Sequence, residues 1–188
     1  MKKAFTIIEL IVVIVVLGIL ASIGSMKMFA SMDAKAVAKF NSDYMMVVGG
    51  IDSKFSKTIS SGKFKFVSSL EKDIADSIDN GAFSSSSGYV YKKEIFDNVL
   101  QTSVISSEKN SGKSSSWVYL GTKEKTVSGV KKYIGEYEFY ISSSKYLKLT
   151  YDSSNGVFSC DEFKCIGCSE LNKMQEGLKA SCKKATSK

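Results

Sequence analysis

Four cysteines near the end of the chain have a spacing that could support chemistry. They are Cys160, Cys165, Cys168 and Cys182, with gaps of four, two and thirteen residues between them. The first two gaps match the spacing of a plant-type two-iron ferredoxin, and four thiolates could also bind zinc. An even number of cysteines is equally typical of disulfides in an exported domain, with three possible connectivities. The compartment of these residues therefore decides between metal ligands and disulfides.

The sequence contains no other recognisable set of catalytic residues. The chain contains no histidine, and its 26 basic residues are all lysine. A Ser-His or Cys-His pair is therefore impossible, and there is no G-x-S-x-G motif. The segment from Ser107 to Ser114 lacks the first glycine of a phosphate-binding loop, and Asp152 to Gly156 has too few ligands for a calcium loop. We interpret both as polar connections and predict no enzyme, no cofactor and no metal site.

An apolar stretch near the N-terminus contains one carboxylate, Glu9. The residues between Phe5 and Ile23 that are not plainly apolar are Thr6, Glu9, Gly18 and Ser22. A helix needs ~20 apolar residues to cross a bilayer, so the stretch that begins at Phe5 is long enough to span it. Lys2 and Lys3 precede the stretch and stay on the cytoplasmic side. We therefore expect a single span with the N-terminus inside and the rest of the chain outside the cytoplasm.

A secretory signal peptide is the alternative reading of this stretch. Small residues between Leu20 and Ser25 could form a cleavage site. The very short charged region and the carboxylate of Glu9 argue against it, because neither is typical of a signal peptide. With the domain outside the cytoplasm, we predict disulfides at the four cysteines and leave their connectivity open. Each closed loop of ~15 residues would add ~3 kcal/mol of stability.

The remaining pattern predicts an α+β fold. Apolar residues continue at helical spacing beyond the membrane stretch, so we expect one helix from about Phe5 to about Phe55, with Gly49-Gly50 as a weak point. Its second half should pack on a small antiparallel sheet. The predicted core positions of this half are Val37, Phe40, Tyr44, Val47 or Val48, Ile51 and Phe55, with Asp33, Lys35, Lys39, Asp43 and Asp52 on other faces.

Several shorter elements follow. We predict a helix from Phe64 to Ile78, a helical turn or two between Tyr91 and Leu100, and a tail helix from Ser169 to Lys184. Alternating aromatic and β-branched residues then predict the strands of an antiparallel meander. The predicted strands are Trp117 to Leu120, Tyr133 to Ile141, Tyr146 to Tyr151 and Val157 to Cys160.

The first ten residues read M-K-K-A-F-T-I-I-E-L. This string resembles the leader and N-terminal segment of the type IV pilin family, which includes the pseudopilins of type II secretion and of competence. The close match extends from Lys2 to Ser25. The resemblance implies cleavage between Ala4 and Phe5 by a prepilin peptidase, followed by N-methylation of Phe5. Family members usually have glycine before the cut, where this chain has Ala4.

Glu9 has a physical role if that cleavage takes place. A lone carboxylate in the membrane costs ~2.5 to 3.5 kcal/mol, which a nearby cation would offset. Cleavage would create such a cation at the amine of Phe5. We therefore expect Glu9 of one subunit to pair with the Phe5 amine of its neighbour and to set the register of a helical bundle. The simpler alternative is that Glu9 lies at the level of the lipid headgroups.

These features predict three segments: residues 1–4 as a cleaved leader, residues 5–31 as a transmembrane and assembly helix, and residues 32–188 as a pilin-like domain outside the cytoplasm. The resemblance implies a subunit that starts in the bacterial inner membrane and ends in a periplasmic or extracellular filament. Its implied partners are other pilin-like subunits, the prepilin peptidase and an assembly platform with an ATPase.

The choice among filament systems depends on weaker features. Family members often carry a proline near Met26, and this chain has none, so we expect a straighter helix and favour a pseudopilin over a pilus subunit. A minor pilin that acts as a tip adhesin or binds DNA is the alternative, because the net charge is +7. A secreted or membrane-anchored enzyme is a further alternative without a recognisable active site.

Overall fold

The chain is described by a computed structural model. It describes the backbone of residues 7–85, 91–109, 111 and 113–165. Side chains are described for residue 13 and for those residues of these ranges that lie between 34 and 161. There are two compact units, Met1–Lys35 and Ala36–Lys188. Helix α1 runs from Ile7 to Ser60. The other described elements are α2 (Lys72–Asp79), β1 (Glu94–Ile95), β2 (Val104–Ile105), β3 (Ser116–Val127), β4 (Val130–Ser142), β5 (Lys145–Asp152) and β6 (Val157–Cys165).

The part of α1 that belongs to the second unit buries one apolar face. Its buried hydrophobic residues recur every three or four positions, as the sequence predicts for a helix packed on a core. They are Ala36, Phe40, Tyr44, Val47 and Ile51. Val37 and Val48 are half-buried against the same core. The ring of Phe55 stacks on that of Phe66 at 4.0 Å between centroids. The predicted amphipathic pattern is confirmed for this part of the helix.

Strands β3 to β6 form one antiparallel sheet in the order of the chain. All four predicted strands are present, and the meander is confirmed. The rings of Phe40 and Phe139 lie 5.3 Å apart and those of Tyr44 and Phe158 lie 5.5 Å apart, so α1 packs on the face of the sheet that carries the alternating aromatic residues. The hydroxyl of Tyr44 also donates a hydrogen bond to the Phe158 carbonyl at 2.7 Å. This face forms the core of the second unit.

The hairpin between β3 and β4 extends further than its apolar residues predict. Ser128 and Gly129 form its two-residue turn, with φ angles of 52° and 80°. Two consecutive positive φ angles are typical of a type I′ turn, whose twist matches that of the paired strands. Cross-strand ion pairs such as Lys123 to Glu136, at 2.7 Å, occupy the polar part of the ladder. The ladder therefore continues to the cross-strand pair of Val127 and Val130.

The predicted helix from Phe64 to Ile78 is wrong in its first half, because α2 begins only at Lys72. The carbonyl groups before it accept tertiary hydrogen bonds. Tyr151 donates to the Val67 carbonyl at 2.7 Å, and the Asn98 side chain donates to the Ser69 carbonyl at 2.8 Å. These bonds hold the segment in a non-helical path that apolar spacing cannot reveal.

The segment from Tyr91 to Leu100 is partly as predicted. A single helical turn closes where the Leu100 amide donates to the Phe96 carbonyl at 2.9 Å. The residues just before it instead form β1, which pairs with β2. The helix α1 also continues through Gly49-Gly50, the predicted weak point. The predicted tail helix from residue 169 to residue 184 lies outside the described residues.

Candidate processing segment and buried polar centre

The predicted processing residues lie at the start of the chain. Ala4 and Phe5 fall outside the described residues. Glu9 lies in α1, which begins at Ile7, and its side chain is outside the described part of the structure. Cleavage between Ala4 and Phe5 and the pairing of Glu9 with the Phe5 amine therefore stay predictions.

The structure describes one of the four cysteine side chains, that of Cys160. This residue lies opposite Leu149 in the ladder of β5 and β6 and is buried in the core. None of the cysteines in the described part of the chain is a free thiol. Cys165 ends β6, and its side chain, like the whole of Cys168 and Cys182, lies outside the described residues. The disulfide assignment thus stays a prediction for the set.

A buried carboxyl group, that of Glu71, lies at the centre of the second unit. Its exposed fraction is 0%, and it is the residue that immediately precedes α2. The hydroxyl of Tyr137 donates to its two carboxylate oxygens at 3.0 and 2.8 Å. The hydroxyl of Ser69 donates to Oε2 at 3.0 Å, and the amide of Phe96 lies 3.5 Å from Oε1. One carboxyl group therefore joins the start of α2, the strand β4 and the turn after β1.

Burial dominates the electrostatics of Glu71. Desolvation disfavours the charged carboxylate and raises its pKa from 4.5 to about 7. The hydrogen bonds from Tyr137 and Ser69, the positive charge of Lys92 and the Phe96 amide act in the opposite direction and limit the rise. The same burial, together with the nearby Glu71 carboxyl, raises the pKa of the Tyr137 hydroxyl well above its ordinary value. Tyr137 therefore stays a neutral donor.

The backbone around Glu71 is held in a strained conformation at Phe96. This residue has a φ of 62°, in the left-handed region that costs a bulky residue ~1 to 2 kcal/mol. Its ring packs at centroid distances of 5.3 Å from Trp117 and 5.0 Å from Tyr137. The amide of Asn98 donates to the Leu70 carbonyl at 3.0 Å. Aromatic packing and backbone hydrogen bonds therefore keep the turn in place against the Glu71 segment.

Asp43 forms a second buried polar contact, which corrects its predicted place away from the core face of α1. The carboxylate accepts a hydrogen bond from the indole Nε1 of Trp117 at 2.8 Å. Lys39, one helical turn earlier, pairs with the same oxygen of Asp43. The contact fixes α1 on β3. The single tryptophan of the sequence could have indicated a buried acceptor, because a buried indole N–H usually finds one.

Sequence reasoning also missed Glu71, whose neighbours are a buried leucine and an exposed lysine. A single carboxylate at the start of a helix is common on surfaces, where it faces the positive end of the helix dipole. Nothing in its local sequence distinguishes a buried position. Its full burial leaves it no access to a substrate, so the centre can hold and release a proton but cannot act on a bound molecule. No group of three potential metal ligands occurs among the described residues.

In the part of the chain that the structure describes, no helix has both the length and the apolar composition that a bilayer crossing requires.

Comparison with known proteins identifies the first segment of the chain. Residues 1–25 match the family model of the prokaryotic N-terminal methylation motif, the hallmark of the leaders of type IV pilins and pseudopilins. No curated protein and no solved structure matches the chain significantly. The motif covers the string that carries the resemblance found in the sequence.

Proposed function

We propose that this chain is a structural subunit of a type IV filament system, more specifically a pseudopilin of type II secretion or of a DNA-uptake machinery. The methylation motif at residues 1–25 carries the proposal and supports a pilin-like protein that is processed by a prepilin peptidase. The helix and the antiparallel sheet of the second unit are compatible with it, because the family resemblance implies a helix followed by such a sheet.

The first step of this function is membrane insertion and processing. The apolar stretch from Phe5 to Ala30 would span the bacterial inner membrane, with Lys2 and Lys3 in the cytoplasm. The peptidase would remove residues 1–4 and leave a methylated Phe5 as the new N-terminus. The second unit would then lie outside the cytoplasm, where disulfides are stable.

The second step is assembly through the N-terminal helix. A carboxylate at Glu9 is costly in lipid unless a cation accompanies it. The amine of Phe5 in a neighbouring subunit would supply that cation, and the apolar faces of the helices would supply adhesion. A platform with an ATPase would extract each subunit from the membrane, so the mature protein would lie in a periplasmic or extracellular filament.

The same proposal includes two disulfides near the C-terminus, formed by the four cysteines. Cys160 supports it, since it is buried and is not a free thiol. Bonds between Cys160, Cys165, Cys168 and Cys182 would tie the last strand to the segment that follows it. The choice of a pseudopilin depends on the absence of proline from the chain, which leaves the helix without a proline kink.

N-terminal sequencing and the intact mass of the membrane-extracted protein test the proposal. We expect a chain that starts at methylated Phe5. A start near Ser25 would identify a secreted protein and overturn the proposal. Replacing Glu9→Gln should leave cleavage intact and prevent incorporation into filaments, measured by shearing and immunoblotting. Glu108→Gln, which changes an exposed carboxylate in the second unit, is the matched control and should assemble normally.

A further inference from the structure

Two tight turns of the second unit expose apolar side chains next to lysines. Phe64, just beyond the turn at Gly62, is 82% exposed. Val127 and Val130, on either side of the β3–β4 turn, are 53% and 66% exposed. The lysines that flank these three residues are Lys63, Lys65, Lys125, Lys131 and Lys132. These eight residues are called the apolar-basic surface below.

Residues that follow the two turns line one cleft. Phe64 and Val130 line a cleft of about 490 Å³, together with Lys65 and Lys131. Its lining also includes the aromatic residues Phe55, Phe66 and Tyr133. Because Phe64 and Val130 border one depression, these two exposed apolar side chains can contact the same partner. Such a cluster is unusual on the surfaces of monomeric soluble proteins, where exposed apolar residues are normally scattered.

The charge of the apolar-basic surface is positive even after its ion pairs are counted. Lys65 pairs with Asp79 at 2.9 Å and Lys131 with Glu124 at 2.9 Å. Lys132 pairs with Asp152 at 2.8 Å. The five lysines thus face three carboxylates. These pairs are at least partly exposed to solvent, so they contribute little stability and leave the ammonium groups able to contact an anionic partner.

We propose that the apolar-basic surface docks on a lipid bilayer that carries anionic headgroups. Apolar side chains on the tips of turns can enter the boundary between headgroups and acyl chains, while the lysines that surround them contact lipid phosphates. Lysine suits this role, because its apolar stem can lie along the membrane while its charge stays in water. This binding property goes beyond the proposed role as a filament subunit.

Other partners fit the same surface less well. A single-stranded nucleic acid would match the lysines and could stack a base on Phe64, but Val127 and Val130 offer it no further ring. A second copy that presents the same surface would place lysines against lysines. A deformable bilayer, in contrast, can contact the separate tips of both turns and satisfy the apolar and the basic residues together.

A vesicle-capture assay on the full chain tests this proposal. The protein is held in nanodiscs of phosphatidylcholine, so that its apolar N-terminal stretch is already in lipid. It is then mixed with vesicles of phosphatidylcholine alone or with phosphatidylglycerol, and co-flotation is measured. We expect capture by the vesicles with phosphatidylglycerol only, with the affinity lowered at least tenfold in Phe64→Ser/Val130→Ser, as burial of two apolar side chains implies. Empty nanodiscs serve as the blank.

Two matched variants separate this surface from general effects. Ile105→Ser removes an apolar side chain that is 60% exposed on β2 and should leave capture unchanged. Lys63→Gln/Lys131→Gln should weaken capture and reduce its dependence on salt. Equal capture by the Phe64→Ser/Val130→Ser variant, with its circular dichroism spectrum unchanged, would overturn the proposal. So would a single-stranded oligonucleotide that binds the wild type and is lost in that variant.

Discussion

Replacing Glu71→Gln should abolish a pH dependence that the buried carboxyl imposes on stability. The raised pKa means that the folded chain binds more protons than the unfolded chain between about pH 4.5 and about pH 7. The free energy of unfolding should therefore fall as the pH rises through this window. The folded pKa of about 7 exceeds 4.5 by about 2.5. At ~1.36 kcal/mol per pKa unit, the wild type should lose ~3 kcal/mol above pH 7.

The glutamine keeps an oxygen that can accept the hydrogen bond from Tyr137, and it carries no charge at any pH. The variant should therefore be more stable than the wild type at about pH 8, with nearly equal stability at about pH 4, below the window. Urea unfolding of the full chain in detergent, followed by circular dichroism at a series of pH values, measures the difference. The raised pKa leads to this sign, because stability from a proton held in the folded state is lost as the pH rises.

The exposed Glu108→Gln is the control and should keep the wild-type slope. Asp79 and Asp152 have pKa values lowered from 3.8, so their titration lies below the window. The reasoning would be refuted if the stability of Glu71→Gln fell as steeply as that of the wild type between about pH 5 and about pH 7. The proton would then be bound elsewhere.

Two glycine replacements test close backbone approaches. Gly50→Ala should destabilise the chain by ~1 to 3 kcal/mol in urea unfolding, because an added Cβ would lie 2.6 Å from the Val99 carbonyl oxygen. Its neighbour Gly49 has open space around it, so Gly49→Ala should stabilise the same helix by ~1 kcal/mol. Gly156→Ala should cost ~2 kcal/mol or more in thermal unfolding, because its φ is +70° and its Cβ would overlap the ring of Phe66.

The control for the last replacement is Gly129→Ala in the β3–β4 turn. Its φ of +80° is equally unfavourable for alanine, but no neighbouring atom lies within 4 Å of the added Cβ. It should therefore show the conformational cost alone, ~1 kcal/mol. Equal losses at Gly129 and Gly156 would mean that contact with Phe66 contributes nothing. A Gly50→Ala variant as stable as Gly49→Ala would likewise contradict the close contact with Val99.

The order and type of most elements of the second unit could be predicted from the sequence. Apolar spacing located the buried face of α1, and aromatic alternation located all four strands of the sheet. The Ser128-Gly129 turn extends its hairpin through polar residues, which a search for apolar alternation overlooks. The late start of α2 depends on hydrogen bonds from Asn98 and Tyr151 to carbonyl groups ahead of it. Partners so distant in the chain leave no local pattern.

The polar residues were harder to place than the apolar ones. Asp43 and Glu71 are acidic, and acidic residues lie mostly on surfaces. Each is buried here because one aromatic donor, Trp117 or Tyr137, reaches it from the sheet. A pairing of this kind depends on the register between a helix or turn and a strand. The N-terminal motif was recognisable for the opposite reason, since it depends on ten consecutive residues.

The contact between Trp117 and Asp43 gives the protein an intrinsic optical probe. Trp117 is the single tryptophan in the chain, and its indole is buried among the rings of Phe40, Phe96 and Phe139. Its fluorescence spectrum responds to the polarity around the ring and to the hydrogen bond from Nε1. Emission therefore reports separation of α1 from the sheet within the second unit, without any added label.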